Sequence, residues 1–298
     1  MTAADRPIVI SGATGFLGGA LLRRLAGAAS PLRALARRPE AQPARAGVTW
    51  HGCTLPDAID ARAFAGAGVL VHCAFDTRFR DAERARAVNV EGSRHLFEAA
   101  RAGGVERIVF VSSFSAHPGA VSVYGRSKLE VEALLDPERD VALRVGTILG
   151  EGGVFWRQAQ QIATLPAIPL FYGGRQEIQT ACLDDVCRAL ERLLREPITG
   201  VLRFAEPEPV ALRTLYAEVA HAVGRRPRFV RLPGTLTRLG LRGAEALGFR
   251  LPLSSDNLLG LAQLRAFDVS DDVARLGVRP RPMRDSLAGI RWETLSPR

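Results

Sequence analysis

The stretch Pro7-Ile-Val-Ile-Ser-Gly12-Ala-Thr-Gly15-Phe-Leu-Gly18 begins as an apolar run, breaks into three glycines, and leads into residues 20–25 at helical spacing. This order predicts a buried strand, a tight turn and a helix. Glycines at this spacing let the backbone turn sharply and approach a pyrophosphate, while the helix N-terminus offers N–H donors. The pattern therefore predicts dinucleotide binding by Gly12, Thr14, Gly15, Phe16, Leu17 and Gly18.

The second predicted strand, residues 32–39, ends without an acidic side chain. A carboxylate at that position would bind the ribose 2′-hydroxyl of NAD. Here Arg37 and Arg38 follow the small Ala36, and they provide charge for a 2′-phosphate. This favours NADP, with NAD less expected, although two ordinary loop arginines are the alternative.

Short apolar runs then alternate with helical patterns, which is typical of a parallel sheet covered on both faces. The predicted fold is α/β, a Rossmann-type doubly wound parallel sheet with a smaller C-terminal substrate-binding lid. The dinucleotide-binding domain covers residues 1–150, with 183–204 returning to it, and the lid covers 151–182 and 205–298.

Cys73 and Ala74 lie within the apolar run 69–75 and are predicted to contact the cofactor, since ligands bind at the carboxyl ends of such strands. The predicted elements are strands at 69–75, 107–113, 141–146 and 201–204, and helices at 89–102, 124–135, 183–195, 212–223 and 235–247.

A single lysine, Lys128, stands among the 40 basic residues of the chain. It follows Tyr124 by four positions, so a helix would place both side chains on one face. A compact ammonium can hydrogen-bond two ribose hydroxyls beside a phenol, which a planar guanidinium does less well. Its charge is expected to lower the pKa of the tyrosine. A solvent-exposed helical pair is the alternative.

Composition excludes several other classes of protein. The formal net charge of +9 comes from scattered arginines with few aromatic residues between them, so no nucleic-acid partner is predicted. No signal-like N-terminus or transmembrane segment is visible, which predicts a cytoplasmic protein without a membrane partner. The four cysteines and five histidines lack ligand spacing, so no metal site and no disulfide are predicted.

Taken together, these segments resemble the extended short-chain dehydrogenase/reductase family, the NAD-dependent epimerase/dehydratase group. The segments that carry the resemblance are Gly12–Gly18, Asn89-Val-Glu-Gly92, Val111-Ser-Ser113, Tyr124-Gly-Arg-Ser-Lys128 and Leu183-Asp-Asp-Val186. The resemblance implies that Tyr124 is the general acid/base and that Lys128 holds the nicotinamide ribose. It also implies that Ser113 binds the substrate oxygen and that Asn89 is a relay or structural residue near the site. A helix N-cap is the alternative role for Asn89.

The sequence departs from the family pattern at several positions. The acid that usually contacts adenine is replaced by His51-Gly-Cys53, and Phe114-Ser115 stand where 4,6-dehydratases carry acids. The arginine that usually binds a sugar-nucleotide diphosphate is also missing before residues 181–185, although Arg175 or the Arg279/Arg281 pair could substitute. Asp184 and Asp185 are expected to open a buried helix, where acids suit the helix dipole.

The favoured function is NADP(H)-dependent reduction of a small-molecule carbonyl, or oxidation of the corresponding alcohol. A nucleotide-sugar epimerase with the same three side chains is one alternative, and a non-catalytic NADP(H)-binding sensor or structural subunit is another. Phe155, Trp156, Phe171 and Tyr172 suggest a partly apolar substrate pocket, or else ordinary core of the lid. Homodimerisation through the helices that flank the site is a further expectation from the resemblance.

Overall fold

A computed structural model describes residues 6–27, 30–77, 79, 81–249 and 254–295 of the 298-residue chain. Its centre is an eight-stranded sheet in the order β12-β7-β6-β5-β1-β2-β3-β4, in which only β4 runs antiparallel to its neighbour. The strands of this sheet are β1 (Ile8–Ser11), β2 (Leu32–Ala36), β3 (Val48–Thr54), β4 (Ala58–Ile59), β5 (Val69–His72), β6 (Arg107–Ser113), β7 (Val141–Val145) and β12 (Gly200–Phe204).

Helices cover both faces of this sheet, as the continuous apolar strands require. One face buries Leu17 and Leu21 of α1 and Val186 of α6, and the other buries Leu96 of α3 and Val131 of α4. The helices are α1 (Phe16–Leu25), α2 (Ala82–Arg86), α3 (Gly92–Ala102), α4 (Val123–Glu132) and α6 (Leu183–Arg195). A doubly wound α/β fold of Rossmann type is thereby confirmed.

The strand order reverses at β1, because β2 lies on one side of it and β5 on the other. Ligands of open α/β sheets bind in the crevice at such a reversal, outside the carboxyl ends of the strands. Gly12 follows β1 and Cys73 follows β5, so both flank this crevice.

A second, smaller core lies beyond the carboxyl edge and contains Leu149, Phe155, Leu215 and Met283. Its elements are β8 (Thr147–Leu149), α5 (Gly153–Thr164), β9 (Ile168–Phe171), β10 (Glu177–Ile178), β11 (Thr180–Cys182), β13 (Val210–Ala211), α7 (Leu212–Ala222), β14 (Phe229–Leu232), α8 (Gly234–Ala246), α9 (Ser255–Ala262) and α11 (Met283–Ala288). The helix and strands within 151–182 were not predicted, because this Gly- and Pro-rich segment shows no clear hydrophobic periodicity.

The helix α10 (Ser270–Leu276) departs from the predicted division into two regions. Leu276 is fully buried in the core of the large sheet, and the partly buried Val273 and Val278 pack beside it. The C-terminal part of the chain therefore contributes to both cores. Within the described residues, no helix is both long and apolar enough to cross a membrane.

Candidate active site

The glycine turn after β1 is shaped by two close backbone approaches. Gly12 has φ +66°, and a Cβ placed on it would stand 2.7 Å from the backbone nitrogen of Ala74. A Cβ on Gly18 would overlap the carbonyl oxygen of Gly12. These glycines are required because any side chain would separate β1, the turn and the loop after β5.

The N-terminus of α1 opens toward the crevice. Thr14 and Gly15 are exposed, and no side chain of the described residues caps the helix at Gly15. The first N–H groups of a helix have no partner within it and carry partial positive charge. The residues therefore fit a pyrophosphate bound through backbone donors.

Phe16 and Leu17 contribute backbone rather than side chains to this cradle. Leu17 is buried in the core, and the Phe16 ring packs against the glycine loop that precedes α5. A Cβ on Gly152 would stand 2.8 Å from that ring. Phe16 thus connects the glycine turn to the lid.

A buried chain of three polar side chains holds the loop after β5. The Oγ of Ser11 accepts hydrogen bonds from the backbone N–H groups of Cys73 and Ala74, at 3.2 and 3.3 Å. Ser11 and Ser93 also bond the two ring nitrogens of His72, at 2.6 and 2.9 Å. Burial lowers the pKa of His72 to about 3, so the ring is neutral and serves as a rigid connector.

Asn89 holds the next part of the same loop. Its Oδ1 accepts from the backbone N–H of Asp76 at 2.7 Å, and its Nδ2 donates to the Asp76 carbonyl at 2.9 Å. Asn89 lies in a π-helical turn, Ala87–Glu91, between α2 and α3. The N-cap alternative is wrong, because this position is inside a continuous helix; π turns often occur at functional sites.

Arg37 and Arg38 follow β2 directly and are exposed at the carboxyl edge. No hydrogen bond or ion pair with another described residue engages either guanidinium. Their charges are therefore available to an anionic ligand beside the glycine turn. In place of the adenine-binding acid, His51 of β3 bonds Asp60 at 3.1 Å.

The structure brings Ser113, Tyr124 and Lys128 together. Ser113 ends β6, and its hydroxyl lies near enough to Tyr124 on α4 to lower the pKa of the phenol. Lys128, one turn along α4, is buried, and its Nζ donates to the Val111 carbonyl at 2.7 Å. The ring of Phe75 covers both side chains: its centroid is 3.8 Å from Nζ and 5.5 Å from the Tyr124 ring.

The ionisation of this group differs from the sequence-based expectation. Burial raises the pKa of Tyr124, and the nearby Ser113 hydroxyl offsets only part of that effect. Burial also lowers the pKa of Lys128 to about 7. The expected lowering of the tyrosine pKa is therefore not observed, because burial disfavours the phenolate and the lysine hydrogen-bonds the backbone. The phenol is protonated near neutral pH.

Packing around α4 fixes the position of these side chains. Glu132, at its C-terminal end, accepts from Ser112 of β6 at 2.5 Å and from Arg144 of β7 at 2.6 Å. At the other end, Ser122 caps the helix by accepting from the Gly125 N–H at 3.1 Å. A Cβ on Gly125 would overlap the Ser115 carbonyl, so glycine lets the helix approach the loop after β6.

A small cavity near this group, with room for about one water molecule, was not foreseen from the sequence. It is lined by Phe114, Ser115, His117, Ser122, Gly260, Gln263, Leu264 and Arg265. His117 is only 4% exposed, and its Nδ1 has no hydrogen-bond partner among the described atoms. Burial and two nearby arginines lower the pKa of His117. The sequence shows that His117 follows Ser113 by four positions, but it does not show that the His117 Nδ1 lacks a hydrogen-bond partner.

The aromatic residues singled out in the lid belong mainly to its core. Phe155 is 3% exposed, and Trp156 stacks on Trp292 with centroids 5.8 Å apart. Tyr172 packs over Gly234, where a Cβ would overlap its ring. The alternative, that these residues form ordinary core of the lid, is therefore favoured.

Arg281 does not substitute for the missing diphosphate-binding arginine. Its guanidinium bonds the fully buried Asp185 at 2.8 and 2.9 Å and also Asp184 at 2.8 Å. Arg188 bonds Asp185 as well, at 2.5 Å. The two acids that open α6 thus anchor the segment after α10, while Arg175 and Arg279 remain exposed.

A glycine turn lies at the strand-order reversal, a serine ends β6, and a tyrosine and a lysine follow on α4. This arrangement defines a nicotinamide-dinucleotide-binding fold. The NAD dependent epimerase/dehydratase family matches residues 8–202, and the chain belongs to this family.

Two curated relatives and one solved structure show the extent of the similarity. The ceramide reductase of Caulobacter vibrioides is 31% identical over 252 residues, covering 79% of this chain and 77% of the relative. A 3-diazoavenalumate denitrifying reductase from a Streptomyces species is 28% identical over 260 residues, covering 74% and 82%. The structure of MoeE5 in complex with UDP-glucuronic acid and NAD has a TM-score of 0.75 at 22% identity, covering 97% of this chain and 99% of MoeE5. That structure is similar in fold.

Proposed function

We propose that this protein is an NADPH-dependent reductase that converts a ketone of a long-chain lipid to an alcohol. The observation that carries the proposal is the protonated phenol of Tyr124, which lies near the Ser113 hydroxyl and one helical turn from Lys128. A phenol that retains its proton at neutral pH is suited to give that proton to a carbonyl oxygen.

Each side chain has a separate task in this proposal. When bound, NADPH supplies the hydride that the carbonyl carbon accepts. Ser113 donates a hydrogen bond to the carbonyl oxygen and orients it, while Tyr124 transfers the phenolic proton to the same oxygen. The ammonium of Lys128 binds the ribose hydroxyls and stabilises the phenolate that remains until solvent returns a proton.

The cofactor preference rests on the end of β2. Arg37 and Arg38 are exposed beside the glycine turn, and guanidinium groups bind phosphate monoesters through paired hydrogen bonds. Because no acid stands at this strand end to bind a free 2′-hydroxyl, NADPH is favoured over NADH.

The substrate class rests on one relative and on the residues that follow Ser113. Phe114 is apolar, and His117 has a buried Nδ1 without a hydrogen-bond partner among the described atoms. These residues suit an apolar molecule that also carries a hydrogen-bonding group. The similarity to a ceramide reductase supports a lipid, and the engagement of Arg281 by Asp185 argues against a nucleotide diphosphate.

The test is NADPH oxidation, followed by absorbance, with a set of long-chain ketones that includes an oxidised ceramide. We expect stoichiometric cofactor consumption and an alcohol product that mass spectrometry identifies. Tyr124→Phe should lower kcat by about a hundredfold or more while NADPH binding persists, because the proton donor is lost.

Three outcomes would overturn the proposal. Interconversion of UDP-sugars without net cofactor consumption would assign an epimerase instead. Unchanged ketone reduction in Tyr124→Phe would show that Tyr124 is not the proton donor, and cofactor binding without turnover of any ketone would support the non-catalytic alternative.

A further inference from the structure

The outer side of α8 is unusually apolar for a solvent-exposed helix. Leu236 and Leu239 are 67% and 68% exposed, and Leu247 and Phe249, just beyond the end of the helix, are 78% and 64% exposed. We call these four residues the α8 apolar face. The opposite side of the helix carries Leu241, which is 9% exposed and packs inward. Exposed apolar patches of this kind mark surfaces that bind another molecule or a membrane.

Positive charge borders the α8 apolar face. Arg238 and Arg242 lie on the same helix, and Arg231 stands on the strand that leads into it. The acid of the helix, Glu245, is engaged with the N–H and hydroxyl of Ser255, at 2.8 and 2.7 Å. Leucines bordered by arginines are the composition of helices that lie in the headgroup region of a bilayer.

The α8 apolar face is close to the active site through one intervening helix. α8 packs on α9, and α9 packs on α4, which carries Tyr124 and Lys128. Asp256 of α9 accepts a hydrogen bond from the Val123 N–H at 2.7 Å, and Gln263 bonds the backbone of Gly119 and Val121. α9 also supplies Gly260 to the wall of the small cavity that His117 lines. Through α9, the α8 apolar face is therefore connected to the helix that carries Tyr124 and Lys128.

We infer that the α8 apolar face docks onto an anionic lipid bilayer, with its leucines among the acyl chains and its arginines at the headgroups. A second copy of this chain is a poorer occupant, because a two-fold contact would bring the same arginines of both copies together. The sequence predicted no membrane partner because it contains no membrane-spanning segment, and surface binding by α8 differs from that prediction. Bilayer binding would bring the protein to the proposed lipid substrate, but it can occur without catalysis.

The experiment is co-sedimentation of the purified full chain with vesicles, without cofactor or substrate. We expect binding to vesicles containing phosphatidylglycerol, and much weaker binding to pure phosphatidylcholine or in high salt. Leu236→Gln/Leu239→Gln should reduce the partition coefficient by about tenfold or more, since both leucines would lie in the apolar layer. Arg238→Gln/Arg242→Gln should reduce it by about tenfold on anionic vesicles only.

Two matched control variants test whether vesicle binding depends on the α8 apolar face itself or on any exposed apolar or charged side chain. Val201→Gln removes an apolar side chain that is 46% exposed on the edge strand β12. Arg45→Gln/Arg195→Gln removes two charges at the opposite, amino-terminal edge of the sheet. Both controls should bind vesicles like the wild type.

Binding that is equal in the wild type and the α8 variants, or no binding by the wild type, would overturn the inference. A concentration-dependent dimer that the leucine variant abolishes would assign the face to a second copy and would also overturn it. Reduction of a short, water-soluble ketone tests the proposed function independently of vesicle binding. The α8 variants should keep that activity, so loss of vesicle binding alone leaves the reductase assignment intact.

Discussion

At the scale of single residues, burial decides the chemistry of the site. Tyr124 and Lys128 share one helical face, as their spacing predicts, but burial raises the pKa of one and lowers that of the other. Spacing in a sequence indicates which side chains meet, whereas their protonation depends on the dielectric around them. Phe75, which provides much of that apolar surrounding, gave no signal beyond its place at the end of an apolar run.

The pH dependence of reduction should follow Lys128. With a pKa of about 7, its ammonium is present below that pH and is lost as the pH rises through it. Because the charged form stabilises the phenolate, kcat/KM should be constant below pH 7 and fall above it. Lys128→Arg should have lower activity but no such decline up to pH 9, since a guanidinium stays charged. A decline near pH 7 that persists in this variant would contradict the assignment.

The preference for NADPH should depend on Arg37 and Arg38. Replacing both with alanine removes charged hydrogen bonds to a 2′-phosphate, so KM for NADPH should rise by about 10- to 100-fold. KM for NADH should change by less than about threefold, because that cofactor lacks the phosphate. Steady-state kinetics with both cofactors measure this, and Arg45→Ala is a control at a distant surface position. Equal losses for the two cofactors would show that these arginines only hold the loop.

At the scale of elements, the sequence predicted the buried strands and helices of the large sheet better than the short helices near the C-terminus. The strand Arg107–Ser113 and the helix Leu183–Arg195 match their predicted bounds, since each is a buried segment with a clear period. β3 was missed because its sequence, VTWHGCT, is only partly buried near the sheet edge. The short helices α9, α10 and α11 were missed because fewer than nine residues give little periodicity.

The turn between β1 and α1 should tolerate no side chain at Gly12. In Gly12→Ala, the new Cβ would press on the Ala74 backbone and would also require a left-handed φ. We expect a loss of about 2 kcal/mol or more in unfolding free energy and no measurable NADPH binding. Gly240→Ala is the control, because nothing lies within 4 Å of its Cβ position on α8. Denaturant unfolding and fluorescence titration would measure both effects, and wild-type cofactor affinity in Gly12→Ala would refute this account.

At the scale of the whole molecule, two cores meet along the carboxyl edge of the sheet, and the C-terminal segment joins them. Arg281 connects this segment to α6 through Asp185, which has no exposed surface. The sequence indicated that the acids Asp184 and Asp185 open a buried helix. It could not indicate which arginine pairs with them, because the partner lies 96 positions away and the chain offers many arginines.

Removal of Arg281 should destabilise the molecule more than removal of an equally well-formed surface pair. Arg281→Ala leaves the buried Asp185 with Arg188 as its charged partner and with the backbone N–H of residue 281, so we expect a loss of about 2 to 4 kcal/mol in unfolding free energy. Arg291→Ala breaks a two-bond pair with Glu151 in which the arginine is 70% exposed, and it should cost much less, because water screens that pair. Urea unfolding of both variants provides the comparison. Equal costs would show that Asp185 is more accessible to water than the structure indicates.

The π turn at Ala87–Glu91 also constrains how this chain can change. Deleting one residue there would restore regular helical pairing, yet each residue step rotates a helix by about 100°, so Asn89 would swing away from Asp76. The shortened helix would gain local regularity and release the loop that follows β5. Variants selected only for thermal stability should therefore accept this deletion. Variants selected for both stability and enzymatic activity should retain the extra residue of the π turn.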